Sequence, residues 1–350
     1  MNQRNCNYII GVVIVLAASF SACKDVDYDS NSPTKPIEFV VPPGFPAPDY
    51  DFANNEVTND RFALGRKLFY DPILSKDNSI SCGSCHQQAG SFAHIDHRLS
   101  HGINGLLGNR NSPAIFNLAW HTDFFWDGGV AHIELQPINP ITNPVEMDET
   151  ISNVILKLQS SNSYPGLFKT AYGSDSVTSQ NMLRALAQFM AVMVSADSKY
   201  DKYVRSESGG SLTTSELNGM QLFRQKCESC HKEPLFTDLS FRNNGLDSIS
   251  VDQGRYLITL DPADAGKFKV PSLRNITVSF PYMHDGRLNT LSEVLDHYSS
   301  GIKQSPTLDP ALSNGISLTQ SEKNDLLNFL GTLTDYTFLN NSQFSENSVN

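Results

Sequence analysis

The chain has 350 residues, a formal net charge of −11 and 18% charged side chains. It contains no block of basic residues, so its composition argues against nucleic acid as a partner. The length supports two domains of ordinary size, each with a core of its own.

The first residues are typical of an export signal. Arg4 precedes the apolar run YIIGVVIVLAASF, which is shorter than the roughly 20 residues that a membrane-spanning helix needs. Small residues stand immediately before Cys23, as they do at the lipid-modified cysteine of bacterial lipoproteins. We therefore expect residues 1–22 to be a signal peptide. The exported protein would be lipid-anchored through Cys23 to a bacterial membrane, facing the periplasm or at the cell surface; an ordinary secretory peptide with an incidental cysteine is the alternative.

Composition divides the rest of the chain into segments. The stretch after Cys23 is acidic, Ser-rich and then Pro-rich, which is typical of a tether rather than a core. The last residues, NNSQFSENSVN, have the composition of a frayed tail. The predicted segments are a tether at 23–55, an N-terminal domain at 56–200, a C-terminal domain at 201–338 and a tail at 339–350.

Helical signals dominate within the two predicted domains. The patterns TTSE, TLSE and TQSE, which begin at Thr213, Thr290 and Thr319, each match a capping box that opens a helix. Residues 181–194 carry apolar side chains at helical spacing, so we expect a helix there with its methionines in the core. Few stretches alternate as strands do.

Four of the six cysteines form two copies of the pattern C-x-x-C-H. The copies are Cys82, Cys85, His86 and Cys227, Cys230, His231. Two cysteines one helical turn apart can form thioethers with a heme, and the histidine that follows can then bind the iron. A zinc site or a redox dithiol, the two alternatives, would leave the twin histidines unexplained. The sequence therefore predicts two covalently bound c-type hemes.

Landmarks around the two heme motifs recur with matching spacing. GRKLF and GMQLF precede the motifs, and PAIFN at Pro113 and PSLRN at Pro271 follow them. An Asp-Gly pair comes fourteen residues after each of these prolines, at Asp127 and Asp285. Matching spacing at three landmarks is typical of an internal duplication. We predict a mainly α fold: two cytochrome c-like heme domains with long loops, arising from that duplication.

The two halves differ where a second axial ligand of the iron would lie. Tyr298 stands thirteen residues after Asp285, on the helix that TLSE opens, whereas Pro140 stands thirteen residues after Asp127. Proline cannot bind iron, so we expect the N-terminal heme to present an open face and the C-terminal heme to be closed by Tyr298. The rivals of Tyr298 are Met283, His284 and His297.

Together these motifs closely resemble the bacterial diheme cytochrome c peroxidase family, which includes the MauG enzymes. The resemblance is carried by the two heme motifs and by GNRNSPAIFN, FFWDGG, QPINPITNPVEM, FRNNGLD, GKFKVPSLRN and PYMHDGRLNTLSEVLDHY. It covers about residues 61–333, nearly the whole predicted folded part. It implies a peroxidatic N-terminal heme and an electron-storing C-terminal heme.

The resemblance also implies roles for individual residues near the first heme. His86 would be the proximal ligand of the peroxide-binding iron, and Glu146 the distal acid/base that moves a proton between the peroxide oxygens. Gln136 would be a second polar group in the same pocket. Trp126 would lie between the hemes and pass electrons from one to the other.

Two further sites follow from the resemblance. Asn111, Ser279 and Pro281 match the positions that hold a calcium ion at the domain interface, and their oxygen atoms suit such a hard cation. Family members that need reductive activation close the open iron with a loop histidine, and His101 lies near that position. Its rivals are His94, His97, His121 and His132.

The leading functional hypothesis is a peroxidase that reduces hydrogen peroxide to water with electrons from a small cytochrome c or cupredoxin. The first alternative is a MauG-like oxidase that acts on a partner protein through high-valent iron; Tyr298 favours it, since MauG also has tyrosine at that position. A non-enzymatic diheme electron carrier is the second alternative, and Pro140 argues against it. The sequence leaves the electron donor and the oligomeric state open, a homodimer being one option.

Overall fold

The computed structural model describes residues 36–346, so the predicted signal peptide and Cys23 lie outside the described residues. Helices predominate in this part of the chain, joined by long loops with short 3-10 turns. The helices are α1 (Asn59–Tyr70), α2 (Cys82–Cys85), α3 (Ile138–Thr142), α4 (Ile151–Ser160), α5 (Tyr164–Tyr172), α6 (Ser179–Ala191), α7 (Lys199–Val204), α8 (Thr214–Lys226), α9 (Tyr256–Thr259), α10 (Leu291–Asp296), α11 (Gln320–Gly331) and α12 (Tyr336–Leu339). Two short strands, β1 (Phe241–Arg242) and β2 (Phe268–Lys269), pair antiparallel. None of the helices in residues 36–346 has the length and apolar composition that crossing a membrane requires.

The helix starts that the sequence predicts are confirmed. Thr213, Thr290 and Thr319 are the N-caps of α8, α10 and α11, and each accepts a hydrogen bond from the backbone of the glutamate three residues later. The carboxylate of that glutamate accepts a hydrogen bond from the backbone N–H of the cap, which completes the capping box. The helix expected at 181–194 is α6, whose core-facing side includes Met182 and Met190.

Each half is built on one close pair of helices. In the N-terminal half α1 crosses α6, and Gly65 of α1 faces the carbonyl of Ala185 so closely that a β-carbon would clash. In the C-terminal half α8 crosses α11, and Gly219 stands in the same way against the carbonyl of Asp325. The glycines of the two G-x-x-L-F motifs therefore allow these helix backbones to touch.

The Asp-Gly turns also have the same local geometry in the two halves. Phe124 bridges to Val130 before and after the first turn, and Tyr282 bridges to Leu288 around the second. Phe125 and Met283, at matching positions, both adopt positive φ, of 66° and 74°. The two turns therefore share a local geometry, and the duplication stays a prediction from the repeated landmarks.

Residues 36–55 and 339–346 differ from the tether and frayed tail that their composition predicts. Phe39 and Phe45 pack on the ring of Trp120, whose indole Nε1 donates to the carbonyl of Pro46 at 2.8 Å. Phe344 is buried against the N-terminal core, where its carbonyl accepts from the hydroxyl of Tyr70 at 2.7 Å. The average composition of a segment does not show the effect of single aromatic side chains. Each of these side chains buries enough apolar surface to hold its segment against the core.

Candidate heme site

Each C-x-x-C-H motif forms a single helical turn. The backbone N–H of His86 donates to the carbonyl of Cys82, and that of His231 donates to the carbonyl of Cys227, both at 2.9 Å. The four cysteines of the two motifs are free thiols. Burial raises the pKa of Cys82 and of Cys227 to about 12. A redox dithiol needs a lowered thiol pKa, so this environment argues against that alternative.

The two motif histidines are buried and held through the same ring atom. Nδ1 of His86 lies 2.7 Å from the carbonyl of Phe92, and Nδ1 of His231 lies 3.1 Å from that of Pro271. Burial lowers the pKa of His86 to about 4 and lowers that of His231 as well, so both rings are neutral. With Nδ1–H donating to a carbonyl, Nε2 keeps the lone pair that an iron ligand needs. The residues present therefore fit two heme irons.

Glu146 lies close to the first motif, since its charge raises the pKa of both Cys82 and Cys85. The amide of Asn143 donates to Glu146 Oε1 at 2.6 Å, which leaves Oε2 available to a substrate. Burial raises the pKa of Glu146 above its ordinary value, and the Asn143 hydrogen bond lowers it by less. Asn143 was not among the predicted site residues; its Oδ1 accepts from the N–H of Val145 at 3.2 Å, a local turn contact that asparagine favours.

Gln136 and His101 take different positions relative to Glu146. Gln136 is half-buried at the end of the turn Ile133–Leu135, and the amide that contacts Glu146 is that of Asn143. His101 is exposed, yet its loop is tied to the Glu146 backbone: Ile103 N–H donates to the Glu146 carbonyl at 2.7 Å. The loop that carries His101 therefore lies directly on the segment of the predicted distal acid/base.

The rival histidines have other surroundings. His94 is buried with Nδ1 at 2.9 Å from the Ser100 hydroxyl, and it stacks on the exposed His97. His121 is packed beside Lys269, and the exposed His132 accepts from the backbone of Glu134. Within residues 36–346, no group of three or more His, Cys, Asp or Glu side chains is arranged to hold a metal ion.

Trp126 lies where the two halves meet. Its indole Nε1 donates to the carbonyl of Asn111 at 2.8 Å, and its own carbonyl accepts from the N–H of Lys269 at 2.7 Å. Asn111 is buried and its N–H donates to the carbonyl of His284 in the C-terminal half. Trp126 is thus held by two hydrogen bonds, its indole to the N-terminal half and its backbone carbonyl to the C-terminal half.

The residues of the predicted calcium site lie at the same junction. The Asn111 amide donates to the carbonyls of His97 and Arg98 at 3.3 and 3.2 Å, which leaves its Oδ1 free to face a cation. Ser279 is half-buried and Pro281 is buried, both on the segment that leads into the second Asp-Gly turn. Carbonyl and amide oxygens such as these suit calcium.

Tyr298 lies close to the second motif. It belongs to a π-helical turn, His297–Gly301, that continues α10, and such turns are frequent at functional sites. Burial raises the pKa of Tyr298 to about 12, with a smaller contribution from the Cys227 and Cys230 thiolates and an opposing hydrogen bond from Asn244. The phenol is therefore near enough to the cysteines of the second motif to interact with them electrostatically.

Asn244 connects the rivals of Tyr298, and the sequence did not single it out. Its carbonyl lies 3.0 Å from Nε2 of His297, and its amide lies 3.3 Å from the sulfur of Met283. Its side chain also hydrogen-bonds Tyr298. His284 instead stacks on the ring of Phe268, with centroids 3.7 Å apart. His297 therefore contacts a backbone carbonyl, and His284 contacts an aromatic ring. The sulfur of Met283 lies beside Asn244, whose side chain also hydrogen-bonds Tyr298.

Comparison with known proteins agrees with this geometry. Residues 59–209 match the family model described as di-haem cytochrome c peroxidase. Methylamine utilization protein MauG of Methylorubrum extorquens is 34% identical over 284 residues, covering 80% of this chain and 79% of the relative. Cytochrome c551 peroxidase of Nitrosomonas europaea is 33% identical over 273 residues, covering 76% and 77%. The crystal structure of a MauG-like protein associated with microbial copper homeostasis has a TM-score of 0.81 and 32% identity, over 88% of this chain and 98% of that one.

Proposed function

We propose, since the chain belongs to the diheme cytochrome c peroxidase and MauG family, that it reduces hydrogen peroxide to water with two electrons from a small cytochrome c or cupredoxin. The family is a di-haem family, and the two C-x-x-C-H motifs supply two attachment sites. When bound, the hemes would supply iron that activates peroxide at one site and stores an electron at the other. Cys82, Cys85 and His86 would hold the first heme, and the second motif would hold the other.

One observation carries the proposal: a half-buried carboxylate, Glu146, lies near the first motif with one oxygen held and the other free. Peroxide cleavage needs a proton taken from one oxygen and delivered to the other, which then leaves as water. Oε2 of Glu146 would move that proton, and the raised pKa of Glu146 brings the carboxyl closer to the pH at which it can both accept and donate. The hydrogen bond from Asn143 to Oε1 would keep the carboxylate in a fixed orientation.

The remaining predicted residues would serve electron transfer and assembly. Trp126 would carry electrons between the halves, Tyr298 would close the second iron opposite His231, and Gln136 would line the peroxide pocket. Asn111, Ser279 and Pro281 would bind a calcium ion that holds the junction together. We further propose that the protein is exported and lipid-anchored through Cys23, and that it works without nucleic acid.

Steady-state turnover of hydrogen peroxide with reduced cytochrome c tests the proposal. A peroxidase oxidises the donor continuously, two electrons per peroxide. Donor that stays reduced while the protein still consumes peroxide would contradict the proposal and favour the MauG-like alternative. The closeness of Tyr298 to Cys227 and Cys230 is the specific observation on the side of that alternative.

Replacing Trp126 with phenylalanine is expected to slow electron sharing between the hemes while leaving peroxide binding intact. Phenylalanine lacks the Nε1 donor to Asn111 and is harder to oxidise than an indole. The measurement is the stopped-flow rate at which peroxide oxidises the reduced C-terminal heme. Trp120→Phe is the matched control, because the chain has only these two tryptophans and Trp120 lies in the N-terminal core. An unchanged rate in Trp126→Phe would exclude the bridging role.

Replacing His101 with glycine is expected to change the spectrum of the fully oxidised protein from six-coordinate low-spin toward five-coordinate high-spin iron. The reason is that His101, on a glycine-rich loop, would bind the N-terminal iron at rest and leave it when the other heme is reduced. Paramagnetic resonance of the resting protein is the measurement, with His132→Gly as control. A resting spectrum that already shows high-spin iron, or that His101→Gly does not alter, would contradict this switch.

A further inference from the structure

The two segments that hold Trp126 occupy matching places in the two halves. Asn111, whose carbonyl accepts from the indole, stands two residues before Pro113. Lys269, whose N–H donates to the Trp126 carbonyl, stands two residues before Pro271. The two residues stand in the same relation to a landmark proline, so Trp126 joins two matching segments, one through its indole and one through its backbone carbonyl.

Each segment leads to a proline whose carbonyl lies beside a motif histidine. The carbonyl of Pro271 lies 3.1 Å from Nδ1 of His231, and the carbonyl of Pro113 lies close enough to His86 to raise the pKa of that ring slightly against the larger effect of burial. Three residues of backbone therefore separate each contact with Trp126 from a predicted proximal ligand. A substitution at position 111 or 269 would therefore affect Trp126 and one motif histidine.

The two positions differ in charge. Asn111 is neutral, whereas the Lys269 amine enters the N-terminal half and donates to the carbonyl of Asp123 at 2.6 Å. The amine also lies 3.4 Å from Nδ1 of His121 and 5.9 Å from the centroid of the Phe124 ring. A side chain from the C-terminal half thus holds the loop immediately before Trp126.

The groups that face the Lys269 amine come from several elements. The carboxylates of Asp123 and Asp127 favour its charged form, and the guanidinium of Arg255 opposes it. Burial outweighs the carboxylates and lowers the pKa of Lys269 to about 8. Burial and the neighbouring lysine lower the pKa of His121 well below its ordinary value, so that ring is neutral. The amine is therefore charged at neutral pH and loses its proton in mildly alkaline solution.

We propose that Lys269 is a positioning residue of the Trp126 relay, whose side chain fixes the loop 121–124 and whose charge adjusts the ease of electron transfer between the halves. The proposal rests on the relay role of Trp126 in the proposed function. A buried positive charge opposes the loss of an electron from neighbouring groups, because the low local dielectric leaves it poorly screened. Loss of the Lys269 proton removes this charge and makes the loss of an electron from neighbouring groups easier. Asn111 brings no such charge to the N-terminal segment.

The reduction potential should therefore depend on pH. Below about pH 8 Lys269 is charged, and we expect this charge to raise the reduction potentials of the hemes on either side of Trp126. As the pH rises through about 8, which is the lowered pKa of Lys269, the potential falls to a lower plateau. Lys269→Met should show the lower potential throughout this range, and Lys269→Arg should show the higher one, each without the step.

Potentiometric titration of both hemes from pH 6.5 to 9.5 tests this in the full heme-loaded protein, followed by absorbance. The stopped-flow rate of electron transfer between the hemes is measured alongside. Lys269→Met should lower this rate by about tenfold or more, because the loss of the anchor of loop 121–124 outweighs the removal of the opposing charge. Lys267→Met is the matched control: it removes a charge two residues away, from a lysine paired with Asp264 at 3.2 Å, and the step should remain.

A step near pH 8 that persists in Lys269→Met would overturn the proposal. If Lys269→Met does not fold, Lys269→Arg decides: it keeps a donor for the Asp123 carbonyl and a permanent charge, so a persisting step in that variant overturns the proposal equally. The titration uses no peroxide. A protein that fails to reduce peroxide yet loses the step in these variants would contradict the proposed function and leave the role of Lys269 in place.

Discussion

Replacing Glu146 with glutamine is expected to slow the reaction with hydrogen peroxide by about 10² to 10⁴-fold while both hemes stay attached. The amide keeps the size of the side chain and its contact with Asn143, but it cannot accept the peroxide proton. Stopped-flow absorbance of the heme bands after mixing with peroxide measures the rate. A rate within a factor of two of the parent would mean that another group moves the proton.

The control for this variant is Glu149→Gln. Glu149 is a neighbouring buried carboxylate, but it pairs with Lys157 at 3.0 Å and bonds the N–H of Thr150 at 2.8 Å. Those contacts lower its pKa, so it stays ionised and has no part in proton transfer at neutral pH. Loss of Glu149 should reduce stability and leave the peroxide rate of the folded protein unchanged.

The pH dependence of the parent rate gives an independent check. Only the ionised form of Glu146 accepts a proton, so the rate should fall as the pH is lowered through the pKa of Glu146. That pKa is raised by burial, so the fall lies above the ordinary range of a glutamate. Asn143→Ala removes the hydrogen bond that favours the ionised form and should move the fall to still higher pH. The Glu146→Gln variant should lack it.

Replacing Tyr298 with methionine is expected to raise the reduction potential of the C-terminal heme by a sizeable part of the roughly 0.8 V that axial ligands span. A phenolate stabilises ferric iron, whereas a thioether stabilises the ferrous state. The free phenol has a pKa of about 12 in its buried site, but a bound cation favours the phenolate. Spectroelectrochemical titration of the two hemes measures the shift.

Tyr282→Phe is the matched control, since Tyr282 is a buried phenol of the same half that donates to the carbonyl of Ile276 at 3.0 Å. Its removal should leave both potentials unchanged. The opposing assignment makes Met283 the ligand, and its sulfur already lies near Asn244. A near-infrared methionine-to-iron band in the parent protein, lost in Met283→Leu, would show that Met283 and not Tyr298 binds the iron.

Sequence reasoning succeeded where the determining contacts are local. The capping boxes at Thr213, Thr290 and Thr319 are formed by residues three apart, so the helix starts follow from the printed letters. It was less informative for residues 36–55 and 339–346, where composition indicated loose chain. A few aromatic side chains, Phe344 among them, bury these segments against a core that is distant in the sequence.

The sequence by itself determined the two heme attachment motifs and the repeated landmarks, because each depends on residue type and spacing along the chain. Only the tertiary structure decided which side chains meet. It brought Asn244 to His297 across 53 residues and Lys269 to His121 across 148. Such pairs depend on how segments distant in the sequence pack together, and the spacing of residues along the chain does not predict that packing. The charge placed beside Trp126 is therefore a property of the fold.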